Sequence, residues 1–390
     1  MELNINKLEW EKVKFGEVAI QQKQKVDRET TVLSRYVKGE HMSSEDLHLR
    51  NWGELTDEYL GPAFIRKFEE GDILYGSRRT YLRKVVIAPF DGITSNTTFV
   101  IKANEDKIDR RLLPFVMLSE GFSQNSILQS KGSVNPYVNW KDLANYEFLL
   151  PPKDQQARLA ELLWAGDAVV ERAVQSKEQL TTLQHATLAK AILGKNYPSQ
   201  QVGHLLLEKP KNGFSPKSNA TGEGVKTVSI SAISDGRFNP EGNEKYAQVD
   251  RTVLDVYDIK KGDIFVVRGN GNKNLCGRAG RANRHFPNFF YPDLLIRLRF
   301  DPTKILSEFV IAHWNAGFTH QQLIRHAKST NGTWKINGQD VRHHKLLVPS
   351  IERQRNIVAK LTSLQTTHGM MENTITASKA LQKSLINQIF

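Results

Sequence analysis

The chain has 390 residues, of which 39% are hydrophobic and 25% charged, and its formal net charge is +12. This length favours two or three domains, and the composition is that of a globular protein. The single cysteine, Cys276, excludes an internal disulfide framework and any site that needs two thiolates, so a cytoplasmic location is the simplest expectation. Neither a long apolar run nor the apolar core of a signal peptide is present, so no transmembrane helix or secretory leader is expected.

The positive charge is concentrated in the second half of the chain. Residues 260–345 contain 15 lysine and arginine residues against 5 aspartate and glutamate residues, whereas residues 65–145 contain 12 against 9. A charge that served solubility alone would be spread more evenly. A concentrated basic stretch favours a polyanionic partner, which is usually nucleic acid.

A phrase in the middle of the chain returns near its end. LLPPKDQQARLAELL at 149–163 is echoed by LLVPSIERQRNIVAKL at 346–361. The constant offset of 198 residues pairs Gln156 with Gln354, Leu159 with Ile357, and Leu163 with Leu361. Upstream the offset drifts, as loop insertions and deletions would cause. The pattern predicts a duplicated unit in which a globular part is followed by a helix.

Each globular part combines strand and helix patterns. Strands are predicted for GDILYG, KVVIAPF and TTFVIKA in the first part, and for KTVSISAI, GDIFVVRG and DLLIRLRF in the second. Helical periodicity occurs at matching places, 112–129 and 305–327. The predicted fold class is α+β, with two α/β-type domains related by a pseudo-twofold duplication.

A long helix is predicted after each proline junction, because proline fits the first turn of a helix but disfavours helix in the residue before it. Apolar residues then recur at spacings near 3 and 4, which is typical of a coiled-coil seam. The residues predicted to form this seam are Leu159, Leu163, Ile357, Leu361 and Leu364. Each helix should span about 35–40 residues, or roughly 55–60 Å at 1.5 Å per residue.

We expect the two long helices to pack antiparallel as a spacer, since neither could bury its stripe against its own small domain. Pairing with another chain, or a helix that covers each domain, are the alternatives. The predicted organisation is a first globular domain at 1–150, a central helical spacer at 151–195, a second globular domain at 196–348 and a C-terminal helical spacer at 349–390.

No catalytic constellation is recognisable in the sequence. GNGNK at 269–273 lacks the spacing of a P-loop, and NPY at 135–137 lacks the second proline of an amino-methyltransferase motif. YPDLLIRLRFDPTK at 291–304 lacks the acidic residue two positions before the lysine of nuclease cores. Four histidines have no carboxylate or thiol partners at metal-ligand spacing, so we expect them at the surface or facing DNA: His320, His326, His343 and His344. Neither a metal nor a catalytic residue is predicted.

Two basic segments, 75–84 and 268–284, have the composition of nucleic-acid-binding loops. The candidate residues are Arg78, Arg79, Tyr81, Arg83 and Lys84 in the first and Arg268, Asn270, Asn272, Lys273, Asn274, Arg278, Arg281 and Arg284 in the second. Arginine and lysine suit guanine edges and phosphates, and asparagine suits adenine edges. Glycines let the second loop approach a groove closely. The alternative is a solvated basic loop.

Two more segments, 130–140 and 328–338, occupy equivalent positions just before the proline junctions. Both contain lysine, small polar residues and an aromatic residue, and Lys328 and Trp334 are further candidates for DNA contact. These segments are either second recognition loops or turns before the last strand, and the sequence favours neither.

The ordered set of motifs resembles the DNA-specificity (S) subunit of type I restriction–modification systems over nearly the whole chain. In that family the helical regions begin with a phrase like PP-x-x-EQ-x-x-I; here PPKDQQARL and PSIERQRNI are similar, with Gln155 and Arg353 in place of the usual glutamate. GDILYGSRRTYLRK, GDIFVVRGNGNKNLCGR and KNGFSPK are also similar to stretches of its target-recognition domains.

The resemblance implies a non-catalytic subunit whose two target-recognition domains read a bipartite, asymmetric double-stranded DNA site. It further implies that the helices dock two methyltransferase subunits, and that restriction and translocase subunits join the complex. S-adenosylmethionine, ATP and Mg²⁺ are then expected on those partners, and no cofactor on this chain. The alternatives are a stand-alone DNA-processing enzyme with an unrecognised site, or an RNA-binding scaffold.

Overall fold

The computed structural model describes residues 5–27, 30–56, 59–219, 222–330 and 332–390. The chain divides into two compact units. Unit 1 comprises Met1–Gln175 together with Met371–Phe390, and unit 2 comprises Ser176–Met370. Unit 1 is therefore assembled from two stretches that lie far apart in the sequence.

Unit 1 is built around two sheets with short helices packed against them. Its strands are β1 (Glu11–Lys14), β2 (Ala19–Gln22), β3 (Arg35–Val37), β4 (Gly53–Glu54), β5 (Phe64–Phe68), β6 (Ile73–Gly76), β7 (Val85–Ile87), β8 (Gly92–Ser95), β9 (Thr98–Ala103) and β10 (Glu147–Leu150). Its helices are α1 (Phe15–Val18), α2 (Leu113–Leu118), α3 (Glu120–Leu128), α4 (Trp140–Ala144) and the first part of α5 (Lys153–Ile192). The two main sheets have the strand orders β2-β9-β6-β7 and β4-β3-β8-β5.

Unit 2 repeats this mixture of strands and short helices. Its strands are β11 (Ser199–Gln201), β12 (Lys211–Asn212), β13 (Ser218–Asn219), β14 (Val225–Val228), β15 (Ile233–Ser234), β16 (Arg237–Phe238), β17 (Glu244–Ala247), β18 (Ile264–Val267), β19 (Gly269–Asn270), β20 (Ala279–Arg281), β21 (Leu295–Leu298), β22 (Lys328–Thr330), β23 (Thr333–Lys335) and β24 (Lys345–Leu347). Its helices are α6 (Val253–Val256), α7 (Ser307–Asn315), α8 (Gly317–Ile324), α9 (Gly338–His343) and the first part of α10 (Ile351–Ile389). Its sheets have the orders β12-β21-β18-β20-β16-β15, β13-β17-β14 and β19-β23-β22.

Each globular part is closed by pairing its first strand with its last. In unit 1, β1 lies antiparallel to β10 and Glu11 faces Leu150. In unit 2, β11 lies antiparallel to β24 and Ser199 faces Leu347. The proline junction follows the closing strand in both units, so the long helix leaves each unit from the same place. The predicted α+β class and the duplication are confirmed.

The helical periodicity at 112–129 and 305–327 corresponds to two short helices in each unit. The first run breaks at Ser119 between α2 and α3, and the second breaks at Ala316 between α7 and α8. Both residues have φ near −60° with an extended ψ, of 151° and 137°. The Ser119 hydroxyl accepts a hydrogen bond from the Phe122 amide and caps α3. The apolar period continues through each break, so the sequence pattern did not reveal it.

The two long helices predicted from the sequence are α5, with 40 residues, and α10, with 39. In unit 1, Leu163 of α5 shares a core cluster with Ile386 and Ile389 of α10. Further along α5, Asp167 Oδ1 accepts a hydrogen bond from Gln382 Nε2 at 3.0 Å. Residues later in α5 thus contact residues earlier in α10, so the helices run antiparallel.

The same antiparallel order occurs in unit 2, between the opposite parts of the two helices. Leu188 and Ile192 near the end of α5 share a core cluster with Ile357 and Leu361 near the start of α10. The two helices therefore pack on each other within one chain, as expected.

The first turns of each long helix also join the core of the adjacent globular part, which corrects one expectation. Leu163 lies in the same cluster as the buried residues of the unit 1 sheet, and Ile357 and Leu361 lie in that of unit 2. Leu159 packs against the unit 1 cluster, and Leu364 is half-buried. The seam residues therefore fall into two groups, one per unit. The expectation that neither helix buries its apolar residues against its own domain was therefore wrong for the first turns of each helix. These turns lie against the end of the sheet formed by the first and last strands of the unit.

One buried glutamine fixes the start of each long helix. Gln156 Nε2 donates to the carbonyl oxygens of Pro151, at 2.9 Å, and Lys107, at 3.1 Å, while its Oε1 accepts from the Asp109 amide at 2.6 Å. Its side chain thus ties the helix to the proline junction and to the segment before α2. Only 1% of Gln156 is exposed.

Gln354 repeats this arrangement in unit 2. Its Nε2 donates to the carbonyl oxygens of Pro349, at 2.9 Å, and Lys304, at 3.3 Å, and its Oε1 accepts from the Leu306 amide at 2.8 Å. The glutamine shared by the two sequence phrases therefore has one structural task in both units.

Among the described residues, no helix combines the length and the apolar character needed to cross a membrane.

Candidate nucleic-acid interface

In unit 1 the two candidate loops predicted from the sequence contact each other. We call residues 77–84 and 130–139 loop pair 1. The Val138 amide donates to the Ser77 carbonyl at 2.9 Å, and the Arg79 amide donates to the Pro136 carbonyl at 2.6 Å. The Arg79 side chain adds a hydrogen bond from Nε to Asn135 Oδ1 at 2.9 Å. The segment before the proline junction is thus part of the same surface as the basic segment.

The backbone of loop pair 1 adopts an unusual conformation at two arginines. Arg79 and Arg83 have φ of 51° and 48°, in the left-handed region that favours glycine. They flank a short 3₁₀ turn, Thr80–Leu82, and the Arg83 amide donates to the Thr80 carbonyl at 2.9 Å. Such strain persists only where surrounding contacts hold it, and it is frequent at functional sites.

The candidate side chains of loop pair 1 differ in what they contact. Arg78, Arg79 and Tyr81 are exposed. Arg83 is mostly buried and makes two hydrogen bonds to the Glu120 carboxylate, each of 2.6 Å, and another to Glu45. These hydrogen bonds raise the pKa of Arg83, first through Glu120, and Arg83 lowers the pKa of Glu120 to about 2.

Lys84 is half-buried and donates from Nζ to the Gly39 carbonyl. Burial lowers its pKa. Arg83 and Lys84 thus have partners within the protein, whereas Arg78, Arg79 and Tyr81 face the solvent.

In unit 2 the equivalent loops also meet. We call residues 268–284 and 328–337 loop pair 2; Asn331 lies outside the described residues. β19 pairs antiparallel with β23, so that Asn270 faces Trp334, and β23 pairs with β22. The Ile336 amide donates to the Arg268 carbonyl at 2.9 Å, which matches the bond between Val138 and Ser77 in unit 1. Both units therefore present two joined loops at the same place in the fold.

The tip of loop pair 2 combines a cation, an aromatic ring and asparagines. Lys273 Nζ lies 4.4 Å from the centre of the Trp334 ring, within the range of a cation–π interaction. The Asn272 amide donates to Asn270 Oδ1 at 2.8 Å, and the Asn274 amide donates to Asn272 Oδ1 at 2.9 Å. These two turns use the side-chain oxygens and leave the NH₂ groups as donors. Lys328 is also exposed, on the strand β22 that pairs with β23.

The arginines of loop pair 2 have partners within unit 2. Arg268 lies beside Asp293, with 3.7 Å between Nη1 and Oδ2, and Arg281 pairs with Glu308. Arg284 pairs with Glu241 but is largely exposed. The Arg284–Glu241 pair is exposed and such pairs are weak, so a phosphate can exchange for this carboxylate, whereas Arg281 is mostly buried and also donates to Ser307 Oγ at 2.9 Å.

Helices α7 and α8 support loop pair 2 from beneath through side chains that sequence reasoning missed. Asn315 acts like a neighbouring strand, since its Oδ1 accepts from the Ala279 amide at 3.0 Å and its Nδ2 donates to the Ala279 carbonyl at 2.8 Å. Trp314 Nε1 donates to the Gly277 carbonyl at 2.9 Å. Arg278 extends along the same helix and donates to the Asn315 carbonyl at 2.8 Å. These residues lie in a segment whose sequence shows only helical periodicity, so their role becomes visible only in the three-dimensional contacts.

Two of the four histidines expected at the surface are buried in unit 2, which corrects that expectation. His320 is 0% exposed and its Nε2 donates to the Cys276 carbonyl at 2.8 Å. His344 is 7% exposed and packs edge-on against the Trp314 ring. The helical period of α7 and α8 turns His320 inwards, and α9 ends against the same core. His326 and His343 are exposed as expected.

Burial keeps this histidine group neutral. It lowers the pKa of His344 to about 4, an effect that nearby histidines reinforce, and the pKa of His313, a third buried histidine, also to about 4. Burial lowers the pKa of His320 as well. Within the described residues no group of three histidine, cysteine or acidic side chains is placed to hold a metal ion.

Comparison with known protein families supports the resemblance seen in the sequence. The family described as the type I restriction modification DNA specificity domain matches residues 7–182. The EcoKI specificity subunit of a type I restriction enzyme from Escherichia coli (strain K12) is 24% identical over 296 residues, which cover 69% of this chain and 63% of that protein. The StySPI specificity subunit from Salmonella potsdam is 25% identical over 297 residues, with the same two shares. The matched region therefore spans less than two thirds of the length of these curated relatives.

Two solved structures share the fold along nearly the whole chain. One, from work on complex assembly and conformational transition of the type I R-M system, has a TM-score of 0.58 at 19% identity and covers 97% of this chain and 96% of that one. The other, the S subunit of a type I restriction-modification system from M. genitalium, has a TM-score of 0.54 at 14% identity and covers 100% and 97%. Residues 7–182 therefore match the type I restriction modification DNA specificity domain, and the chain as a whole shares the fold of these two solved structures.

Proposed function

We propose that the chain reads a two-part double-stranded DNA site, with one part recognised by each unit, while partner subunits carry out the chemistry. The observation that carries the proposal is the duplicated placement of loop pairs 1 and 2. In each unit a basic or amide-rich loop is hydrogen-bonded to the segment that precedes the proline junction. A long helix follows that junction, and a buried glutamine holds its start in place. Because the two loop pairs have different side chains, the two parts of the site need not be related by symmetry.

The side chains of the loop pairs have the chemistry of DNA recognition. Exposed arginine and lysine supply phosphate contacts, which give affinity that falls steeply with salt. Asparagine amides and aromatic rings supply contacts to base edges, which give sequence preference. Loop pair 2 contains both kinds, since the Lys273–Trp334 pair adjoins Asn270.

The proposal extends to the partners. Two methyltransferase subunits would bind to the paired helices α5 and α10, and a restriction and translocase subunit would join them. S-adenosylmethionine, ATP and Mg²⁺ would be bound by those partners. A cytoplasmic location follows from such a role.

The decisive experiment measures methylation by the chain assembled with its methyltransferase partners, on duplex DNA with a randomised target. Sequence-specific methylation is expected from the complex, and none from the chain alone with DNA, Mg²⁺ and labelled S-adenosylmethionine. Turnover by the chain alone would instead support a stand-alone enzyme. Competition by RNA as effective as that by duplex DNA would support an RNA-binding scaffold.

Loop pair 2 can be tested in the same assay. The double variant Arg268→Ala and Lys273→Ala should lose most of the binding that depends on unit 2. The matched control is Arg251→Ala and Lys209→Ala, which changes two exposed cations of unit 2 outside the loop pair. If the loop variant kept wild-type rate and specificity, the assignment of residues 268–284 to DNA contact would be wrong.

A further inference from the structure

Unit 1 contains a small cleft that the sequence did not indicate. It has a volume of about 260 Å³ and lies where the end of β6, the turn between β8 and β9, and the segment before α4 come together. Ser77 joins the three segments. Its amide and its hydroxyl both donate to the Thr97 carbonyl, at 3.1 Å and 2.6 Å, and its carbonyl accepts from the Val138 amide at 2.9 Å. Ser77 is 5% exposed, so this junction is shielded from water.

The cleft has an aromatic floor. Phe99 and Trp140 line it and meet edge to face, with 5.9 Å between ring centres. Phe99 is held from behind by Tyr75, which stacks on it at 6.3 Å. Both lining rings are half-buried, so each keeps part of its surface open to the cleft.

The rim of the cleft carries polar groups that are free to bind. Arg78, Asn96 and Tyr137 line it and are exposed. Among the described residues, none of these three side chains has a hydrogen-bond or ion-pair partner. Arg83 of the same loop differs, because Glu120 and Glu45 occupy its guanidinium.

The combination of rim and floor matches the edge of a nucleobase. A guanidinium donates two parallel hydrogen bonds to guanine, an amide both donates to and accepts from adenine, and an aromatic surface contacts the methyl group of thymine. Among the described residues that line the cleft none is a carboxylate; the Asp142 carboxylate lies behind Asn139, whose Nδ2 donates to it at 3.2 Å. The volume is below the roughly 300–1,000 Å³ of typical small-molecule pockets, which favours the edge of one or two bases over a free metabolite.

We propose that this cleft is the base-reading site of unit 1, with Arg78 and Asn96 as the residues that determine specificity and Tyr137 as an apolar contact. The proposal rests on the proposed function and deepens it. The proposal also assigns two different roles within the basic segment 75–84. Arg78 contacts bases, whereas Arg83 and Lys84 stabilise the conformation of the loop. Gly269 and Lys335 pair in unit 2 at the place where Arg78 and Tyr137 pair in unit 1, so the two units present different side chains to their half-sites.

The test uses the full chain assembled with its methyltransferase partners and a duplex library in which every target position is randomised. Asn96→Ala and Arg78→Ala should each reduce discrimination by roughly 5–150-fold at one or two adjacent positions. These positions should lie in one half-site, and the other half-site should be read as in the wild type. Asn51→Ala and Arg110→Ala are the matched controls, because both residues are exposed in unit 1 and lie outside the cleft.

Arg78→Lys separates base reading from phosphate contact. Lysine keeps the charge but lacks the planar fork of donors. A base-reading Arg78 predicts that Arg78→Lys relaxes specificity at the same position as Arg78→Ala, while the dependence of binding on salt stays that of the wild type. Unchanged discrimination in all three variants would overturn the proposal. So would a uniform loss of binding to every sequence with a smaller salt dependence.

The outcome for the proposed function is read separately, from the wild-type complex. If the wild type shows no sequence preference, the proposed function fails and the cleft is not the cause. If the wild type is specific and the cleft variants read both half-sites normally, only the cleft proposal fails. The variants change exposed side chains, and an unaltered thermal unfolding curve confirms that each one is folded.

Discussion

A buried glutamine stabilises a junction only when both ends of its amide find partners, and Gln156 and Gln354 meet this condition with the same set of backbone groups. Each joins a proline carbonyl, a second carbonyl and an amide from the segment before the first short helix pair. Asparagine would be too short to reach both sides. This explains why glutamine is the polar residue that both proline junctions share.

Replacing either glutamine by alanine should be costly. Gln156→Ala and Gln354→Ala each leave one amide and two carbonyls of the buried junction without a partner, so the free energy of unfolding should fall by about 2–4 kcal/mol. Urea unfolding measures this loss. The losses should be similar, because the hydrogen bonds match.

Gln365→Ala is the control for the glutamine variants, since Gln365 is an exposed residue of α10. It should change the free energy of unfolding by less than about 0.5 kcal/mol. Wild-type stability in Gln354→Ala would show that the buried hydrogen bonds contribute nothing to the junction.

At the scale of elements, the buried histidines beneath loop pair 2 make the stability of the helices that support this loop pair depend on pH. His320 donates to the Cys276 carbonyl, and His313 and His344 are held neutral by burial. After burial, the neighbouring His313, His326 and His320 also lower the pKa of His344, and Arg278 also lowers the pKa of His320. Because the pKa values of His313 and His344 are lower in the folded protein than in the unfolded chain, their contribution to the stability of unit 2 is fully present above about pH 6.5. This stability is lost as the pH falls from about 6.5 towards 4, where the unfolded chain binds protons that the folded unit does not.

Unit 2 should therefore be less stable at pH 5.0 than at pH 7.5, by at most about 2 kcal/mol for each of His313 and His344. Hydrogen exchange of amides in α7 and α8 measures this change. In His313→Asn with His344→Asn the change should shrink, whereas the exposed His204→Asn should leave it as in the wild type. An equal pH response in all three proteins would contradict the assignment.

The seam of the helix pair offers a second test at this scale. Leu361 is 3% exposed in the unit 2 core. Leu361→Asp would bury a carboxylate without a partner and should cost at least about 3 kcal/mol. Leu364→Asp should cost less, because Leu364 is only half-buried. Ser363→Asp on the exposed face of the same turn is the control, and thermal unfolding of the three variants ranks them.

The elements that sequence reasoning predicted best were those with strong periodic patterns. The long helices, the strands such as β6, β9, β18 and β21, and the duplication all followed from spacing. The break at Ser119 did not, because its capping hydroxyl interrupts the helix without interrupting the apolar period. The same limit applied to the loops. Composition marked Arg78 and Arg83 alike, and the positions of Glu120 and Glu45, both distant in sequence, separate them.

Asn96 shows a further limit of sequence reasoning. In the sequence SNTT it reads as an ordinary turn between two strands, and nothing there indicates a cleft. Its role depends on Ser77 and Val138, which join segments that lie far from it along the chain. The DNA-contact residues proposed from composition remain predictions for the same reason, since base contact depends on geometry that pattern does not encode.

At the scale of the whole molecule, unit 1 depends on residues 371–390. Ile386 and Ile389 are 3% and 0% exposed, and Asn387 Oδ1 accepts from the Glu120 amide at 2.8 Å. Removing residues 371–390 should therefore destabilise unit 1, although most of that unit lies near the other end of the sequence. Unit 2 should keep its protection from hydrogen exchange, because it ends at Met370.

Point variants sharpen this test of unit 1. Ile386→Ala should lower the stability of unit 1 by about 2–4 kcal/mol, as is usual for a buried isoleucine. Leu381→Ala, on the same helix but 50% exposed, should have little effect. Equal effects of the two substitutions would show that the end of α10 does not contribute to the core.

The division of unit 1 into two distant stretches has a consequence for synthesis on the ribosome. The 195 residues of unit 2 are made between the two stretches of unit 1. At roughly 5–20 residues per second this delay lasts roughly 10–40 s. The nascent chain thus contains all of unit 2 while unit 1 still lacks part of its core, so unit 2 can finish folding before unit 1.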